Sequence, residues 1–172
     1  MMIFLGGVHG VGKTSMCTGL FESLSLRVIS ASAVIRAERH VPSQDSRTAV
    51  MNVGGNQELL IRGVQRLVMA TPGRYLLDGH FALRTVTGEI EDISVEVFES
   101  IGVRRLICLI DNPVAIAKRL IARDGQVHDV DAITQLQDAE LRSAQFISRK
   151  LALKLNIVQA FDERAFSACL AT

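Results

Sequence analysis

The chain has 172 residues, is 48% hydrophobic and carries a net charge of +1. This suits one domain with a sizeable core, at about 100–200 residues per domain, and the charge balance speaks against a nucleic-acid or basic membrane-surface partner. Cys17, Cys108 and Cys169 form neither a C-x-x-C pair nor a Cys/His cluster. That excludes a disulfide frame or structural zinc site and points to a reducing compartment. No leader is discernible and no apolar run nears the ~20 residues of a membrane span, so a cytoplasmic protein is expected.

Met2-Ile3-Phe4-Leu5 predicts a first strand, and Gly7-Val8-His9-Gly10-Val11-Gly12-Lys13-Thr14 follows at once. The octet matches G-x-x-x-x-G-K-[ST] at every fixed position, in the strand–turn–helix setting this phosphate-binding loop requires. Its glycines let successive backbone N–H groups converge on one anion at a helix start. Lys13 is placed to reach the β- and γ-phosphates of a nucleoside triphosphate, and the Thr14 hydroxyl to ligate Mg²⁺. Residues Gly7 through Ser15 are therefore the expected ATP contacts. Cys17, Leu20, Phe21 and Leu24 give the helix after the loop its apolar face.

Arg27 to Ser30 predicts a second strand, Ala31 to Arg39 a helix, His40 to Arg47 a loop around Pro42, and Asn56 to Ala70 a helix closed by Thr71-Pro72-Gly73. This long insertion between strands, about 31–73, is expected to form a small mobile lobe over the phosphate loop. Arg74 to Asp78, Arg105 to Asp111 and Leu155 to Phe161 predict three more strands. Two helices separate the last pair. One runs from Pro113, a good first-turn residue, to about Ala122; the other runs from about Asp131 to Lys154. The polar turn between them, about 123–131, is a candidate lid. Alternating strands and helices imply an α/β fold with a largely parallel sheet.

Asp78 ends a strand, where ligands bind in such sheets. It is a candidate for holding a Mg²⁺-bound water or orienting the acceptor, as against a surface or capping carboxylate. His80 either meets substrate or fixes its own loop. Arg119 and Arg123 lie four apart on one helix face. They can clamp a transferred phosphoryl group with planar donor forks, or simply offset the helix dipole.

The order of these parts resembles the adenylate kinase-type nucleotide kinases, in particular the compact archaeal-type adenylate kinases. The glycine-rich loop, Val34-Ile35-Arg36-Ala37, Leu77-Asp78-Gly79-His80, Arg84-Thr85, Leu109-Ile110-Asp111-Asn112-Pro113, Lys118-Arg119, Arg123-Asp124 and Arg142 carry the likeness. It implies a three-layer P-loop sandwich with a five-stranded parallel sheet in the order 2-3-1-4-5, an acceptor-binding lobe and a short lid, all in one domain over 1–172. It also implies transfer of the γ-phosphoryl of Mg·ATP to a phosphate-bearing acceptor, a nucleoside monophosphate with AMP favoured. In that scheme Lys13, Arg119, Arg123 and Asp78 are catalytic, Thr14 and Asp78 serve the Mg²⁺, and Arg36, His80, Arg84 and Arg142 bind the acceptor. The sequence departs from the pattern at Gly79, usually threonine. It departs again at Val86-Thr87-Gly88-Glu89-Ile90-Glu91, where the family carries a Gly-Tyr-Leu-Pro-Gly-like stretch.

Two other functions fit the residues. One is a kinase of a hydroxyl-bearing metabolite or nucleoside, with Asp78 as base. The other is an ATPase or nucleotide-switched regulator acting through a partner, for which Glu89, Glu91, Glu96 and Glu99 are candidates to activate water.

Overall fold

The computed structural model describes residues 1–18, 25–39 and 53–171. Its main sheet holds β1 (Met2–Gly6), β2 (Leu26–Ser30), β3 (Arg74–Asp78), β6 (Val103–Ile110) and β7 (Lys154–Gln159), in the order β2-β3-β1-β6-β7. All four pairings are parallel. Counted over these five strands alone the order is 2-3-1-4-5. A two-stranded antiparallel hairpin, β4 (Ala82–Arg84) with β5 (Ile90–Asp92), lies outside the main sheet and shifts the numbering of the last two strands.

Alternation along the strands builds a core on each face. Ile3, Leu5, Leu76, Ile107 and Leu109 face one side, under α1 (Lys13–Cys17), α5 (Pro113–Asp124) and α7 (Glu163–Leu170). Phe4, Tyr75, Leu77, Leu106 and Cys108 face the other. They are covered by α2 (Ala31–Arg39), α3 (Val53–Ala70), α4 (Val95–Ser100) and α6 (Val130–Leu151). Parallel strands buried on both faces read as continuous apolar runs, which explains why β1, β3 and β6 are legible in the sequence. The rings of Phe4, Phe81 and Phe98 cluster with centroids 4.8–5.8 Å apart. Val97, Phe98 and Ile101 thus belong to the core.

The expected helix after the phosphate loop stops at Cys17. Thr18 is extended there, with its hydroxyl bonded back to the Thr14 carbonyl. The remainder of that expected helix, through Leu24, lies outside the described residues, as does the expected loop His40 to Arg47. Asn112 caps α5 by accepting from the Val114 N–H, with Pro113 at the first turn, and Gly125 ends it in the left-handed region. Asp129 caps α6 through the Asp131 N–H. Among the described residues no helix is long and apolar enough to cross a membrane. The three cysteines are buried free thiols, and burial pushes Cys17 and Cys108 up to about 12, so neither supplies a thiolate.

Candidate active site

The carboxyl ends of β1 and β3 open on one cavity of about 750 Å³. Its first wall is the phosphate loop. Gly7, Gly10 and Gly12 have φ of 138°, 77° and 114°, in or near the left-handed half of the map that glycine tolerates. At Gly12 a side chain is excluded twice over, since a Cβ would sit 2.9 Å from the Phe161 ring. Lys13 is buried; its Nζ donates to the Gly7 carbonyl and, at 3.4 Å, to that of Val8. Asp78 Oδ1 lies 3.9 Å from the same Nζ.

Burial lowers the Lys13 pKa, opposed by the charges of Asp78 and Glu140. Burial likewise raises Asp78 above the ordinary carboxylate range, against the pull of Lys13 and His80. His9 is open to solvent along one edge. Its partial enclosure first, and then the neighbouring His80, Lys13 and Arg123, lower it to about 4, so its imidazole is neutral near pH 7. Its ring lies 4.4 Å from that of His80.

A network behind the loop holds it from outside. Arg119 Nε donates to the Gly10 carbonyl at 2.8 Å, its NH2 donates to Asp111 Oδ2 at 2.5 Å, and its guanidinium lies 5.1 Å above the Phe161 ring. Asp111 Oδ1 accepts from Gln159 at 2.7 Å, and the Asp111 backbone exchanges two bonds with the Gln137 side chain. Arg119 is therefore fastened to the loop, while Arg123, one turn on, lines the cavity with only a 3.4 Å contact to Asp124. Asp111, in the sequence a strand end and part of Leu109-Ile110-Asp111-Asn112-Pro113, is not among the expected site residues; its place before the Asn-Pro helix start is the signal that marks it.

The opposite wall is built by α2, the first turns of α3, and α4. Arg36, Arg39, Ser30, Ser32, Asn56 and Gln57 supply its polar groups over an apolar floor of Ile35, Leu60, Leu83, Ile93 and Val97. Arg39 donates to Asn56 Oδ1 at 2.6 Å, whereas Arg36 has no ion-pair partner among the described residues. His80 and Gly79 lie where the two walls meet. Glycine at 79 has a steric reason: a Cβ there would come within 2.9 Å of Phe4 Cζ.

Two expected acceptor residues stand elsewhere. Arg84 turns out to brace the hairpin, donating to the Gly88 carbonyl at 2.6 Å and to the Ala132 carbonyl at 3.2 Å. Arg142 is exposed on α6 and does not line the cavity. The helix turns Glu140 and Ser143 inward, and at 100° per residue Arg142 falls on another face. Glu89, Glu91, Glu96 and Glu99 are all exposed and none lines the cavity. Lys13, Thr14, Asp78, His80, Arg36, Arg119 and Arg123 all line the same cavity.

A family model described as an AAA domain matches residues 6–137, more than half of the chain. The chain belongs to that family. No curated protein matches this AAA-domain chain in sequence, but solved structures do in fold. A gluconokinase from Sinorhizobium meliloti 1021 is 16% identical, with 99% of this chain and 91% of that one covered and a TM-score of 0.57. A shikimate kinase from Bacteroides thetaiotaomicron is 18% identical over 99% and 94%, with a TM-score of 0.57. The Deinococcus radiodurans tunicamycin resistance protein is 18% identical over 90% and 97%, with a TM-score of 0.53. At such identities the likeness is one of fold. It shows that the AAA-domain chain shares the fold of these proteins and does not single out the adenylate kinase type.

Proposed function

We propose that this chain is an ATP-dependent phosphotransferase acting on a small anionic acceptor, with nucleoside monophosphates, AMP first, as the favoured class. One observation carries it: a continuous cavity joins the phosphate loop to a wall bearing Arg36, which has no ion-pair partner among the described residues, with Asp78 at the join, 3.9 Å from Lys13. Gluconokinase and shikimate kinase, by their names kinases of small molecules, share the fold.

In this scheme the backbone N–H groups of Val8 to Thr14, with Lys13, hold the β- and γ-phosphates. The Thr14 hydroxyl is exposed on the cavity wall and Asp78 faces the same space. These are two hard oxygen donors, a set that fits Mg²⁺, which keeps waters and substrate phosphate oxygens as its other ligands. When bound, the ion neutralises charge developing on the β- and γ-phosphate oxygens. Arg36 and Arg39 hold the acceptor's anion on the α2–α3 lobe, residues 31–73. Arg123, in the last turn of α5 beside the short lid, approaches the γ-phosphoryl and helps exclude water, which would otherwise take the phosphoryl group. The acceptor oxygen bonds to the γ-phosphorus, the bond to the β,γ-bridging oxygen breaks, and ADP leaves. A phosphate acceptor is already anionic near neutral pH and needs no dedicated base.

A second acceptor class, a hydroxyl-bearing metabolite, is favoured by one feature. Burial raises Asp78 and makes it a stronger base than an ordinary carboxylate. The test for both is Mg·ATP with AMP, CMP, UMP, GMP, nucleosides, gluconate, shikimate or no acceptor, read as ADP and phosphorylated product. Product with one monophosphate, and a raised acceptor KM in Arg36→Ala, is the expected result. Free phosphate formed at one rate whatever the acceptor overturns the kinase assignment. An acceptor KM that Arg36→Ala leaves unchanged moves the assignment to the hydroxyl class.

A further inference from the structure

Glu140 is completely buried in the middle of α6 and does not line the cavity. A buried carboxylate is costly unless its oxygens are satisfied, and both of these are. Oε2 accepts from the Phe81 backbone N–H at 2.6 Å, and Oε1 meets His80 Nδ1 at 2.7 Å. One turn along, Ser143 Oγ donates to the Phe81 carbonyl at 3.0 Å. A helix packed beside them thus grips His80 and Phe81, and Ser143 and Glu140 together satisfy both backbone groups of Phe81.

The bond to the imidazole is additional to that structural task. A carboxylate only accepts, so the hydrogen between Oε1 and Nδ1 belongs to the ring, and in the neutral ring the other nitrogen, Nε2, carries the lone pair. The ring lines the cavity where the two walls meet. The groups around it are His9 and Lys13 from the loop and α1, Asp78 from β3, Glu140 from α6, and Arg123 from α5 beyond His9. Lys13, Arg123 and the loop N–H groups are donors only. A lone pair among them marks a place for a ligand's own donor.

We propose that Glu140 is a positioning residue that fixes His80 with Nδ1 protonated and Nε2 open to the cavity, selecting acceptors that present a hydroxyl there. The consequence for acceptor choice rests on the kinase assignment above; the fixed tautomer does not. For a nucleoside monophosphate the hydroxyl is one of the ribose. For a hydroxyl metabolite it belongs to the acceptor itself.

Long-range ¹H–¹⁵N spectra of the full chain at pH 8.5 test the tautomer directly, with His80 assigned by its absence in His80→Gln. The expected spectrum shows the proton on Nδ1. In Glu140→Gln the amide oxygen keeps the Phe81 N–H and the amide NH₂ donates to Nδ1, so the proton moves to Nε2. Ser143→Ala loosens Phe81 without touching the ring and leaves the tautomer as in the parent. A parent protonated at Nε2, or a tautomer unmoved in Glu140→Gln, overturns the proposal. Kinetics then read the consequence with whichever acceptor the panel identifies. Glu140→Gln is expected to raise acceptor KM about tenfold or more while ATP KM and Tm stay near the parent values. A parallel rise of both KM values with a fall in Tm shows a merely structural glutamate and also overturns it. A silent panel defeats the kinase assignment alone, since the spectra still decide the tautomer.

Discussion

The two walls of the cavity are made differently. The phosphate-loop wall is fastened from behind: Arg119 ties Gly10 to Asp111, Asp111 ties to Gln159 and Gln137, and Phe161 packs against Gly12. The α2–α3 wall is a polar rim on an apolar floor, with Arg39 held by one side chain and Arg36 by none among the described residues. Under the proposed function the first wall takes the triphosphate, whose constant geometry suits a site built in advance from backbone, and the second takes the acceptor, where side chains set specificity. That contrast ranks the substitutions.

The largest effect is expected from Lys13→Ala. It removes the charged donor within the loop and should cut turnover about 10²–10³-fold, the scale seen when one preorganised donor is lost. ADP formation measures it, and an unchanged rate would break the assignment of this wall to phosphate. Next comes Asp111→Ala, which frees Arg119 from behind. A hydrogen bond to a charged group contributes about 1.5–3 kcal/mol, so ATP KM should rise about tenfold or more while acceptor KM holds. Equal movement of both KM values would show that the walls are not separable.

Smaller still is a pH effect at His9. Its folded pKa of about 4 lies below the ordinary 6.5, so the unfolded chain binds the proton more tightly between those values. Its contribution to stability is present above pH 6.5 and is lost as pH falls toward 4. Denaturant midpoints should therefore rise with pH across that window, and His9→Gln should flatten the rise. The smallest effect is expected from Arg142→Ala. Surface changes usually stay within about 0.5 kcal/mol, so both KM values should stay within about twofold, and a large rise in acceptor KM would extend the acceptor wall to α6.

Continuous apolar runs at β1, β3 and β6 and the complete loop motif made the sheet and the phosphate site legible, because burial on both faces and backbone curvature each leave a mark in residue type. The hairpin β4–β5 was not legible. Its strands are three residues each, and Ile90-Glu91-Asp92 has little strand character. Arg36 and Arg142 looked equivalent as isolated arginines. Helix phase alone separates them, and phase relative to a cavity is set by how the helix packs.

The sequence by itself determined that this chain carries a phosphate-loop motif on a parallel α/β sheet, since the loop's geometry is local and its residue types are obligatory. Only the tertiary structure decided that Arg119 is fastened to the Gly10 carbonyl and Asp111, that Arg84 and Arg142 stand outside the cavity, and that Glu140 holds His80 across 60 residues of chain. Those facts depend on which helix faces lie against one another. Packing of the whole core fixes that, and no short stretch encodes it.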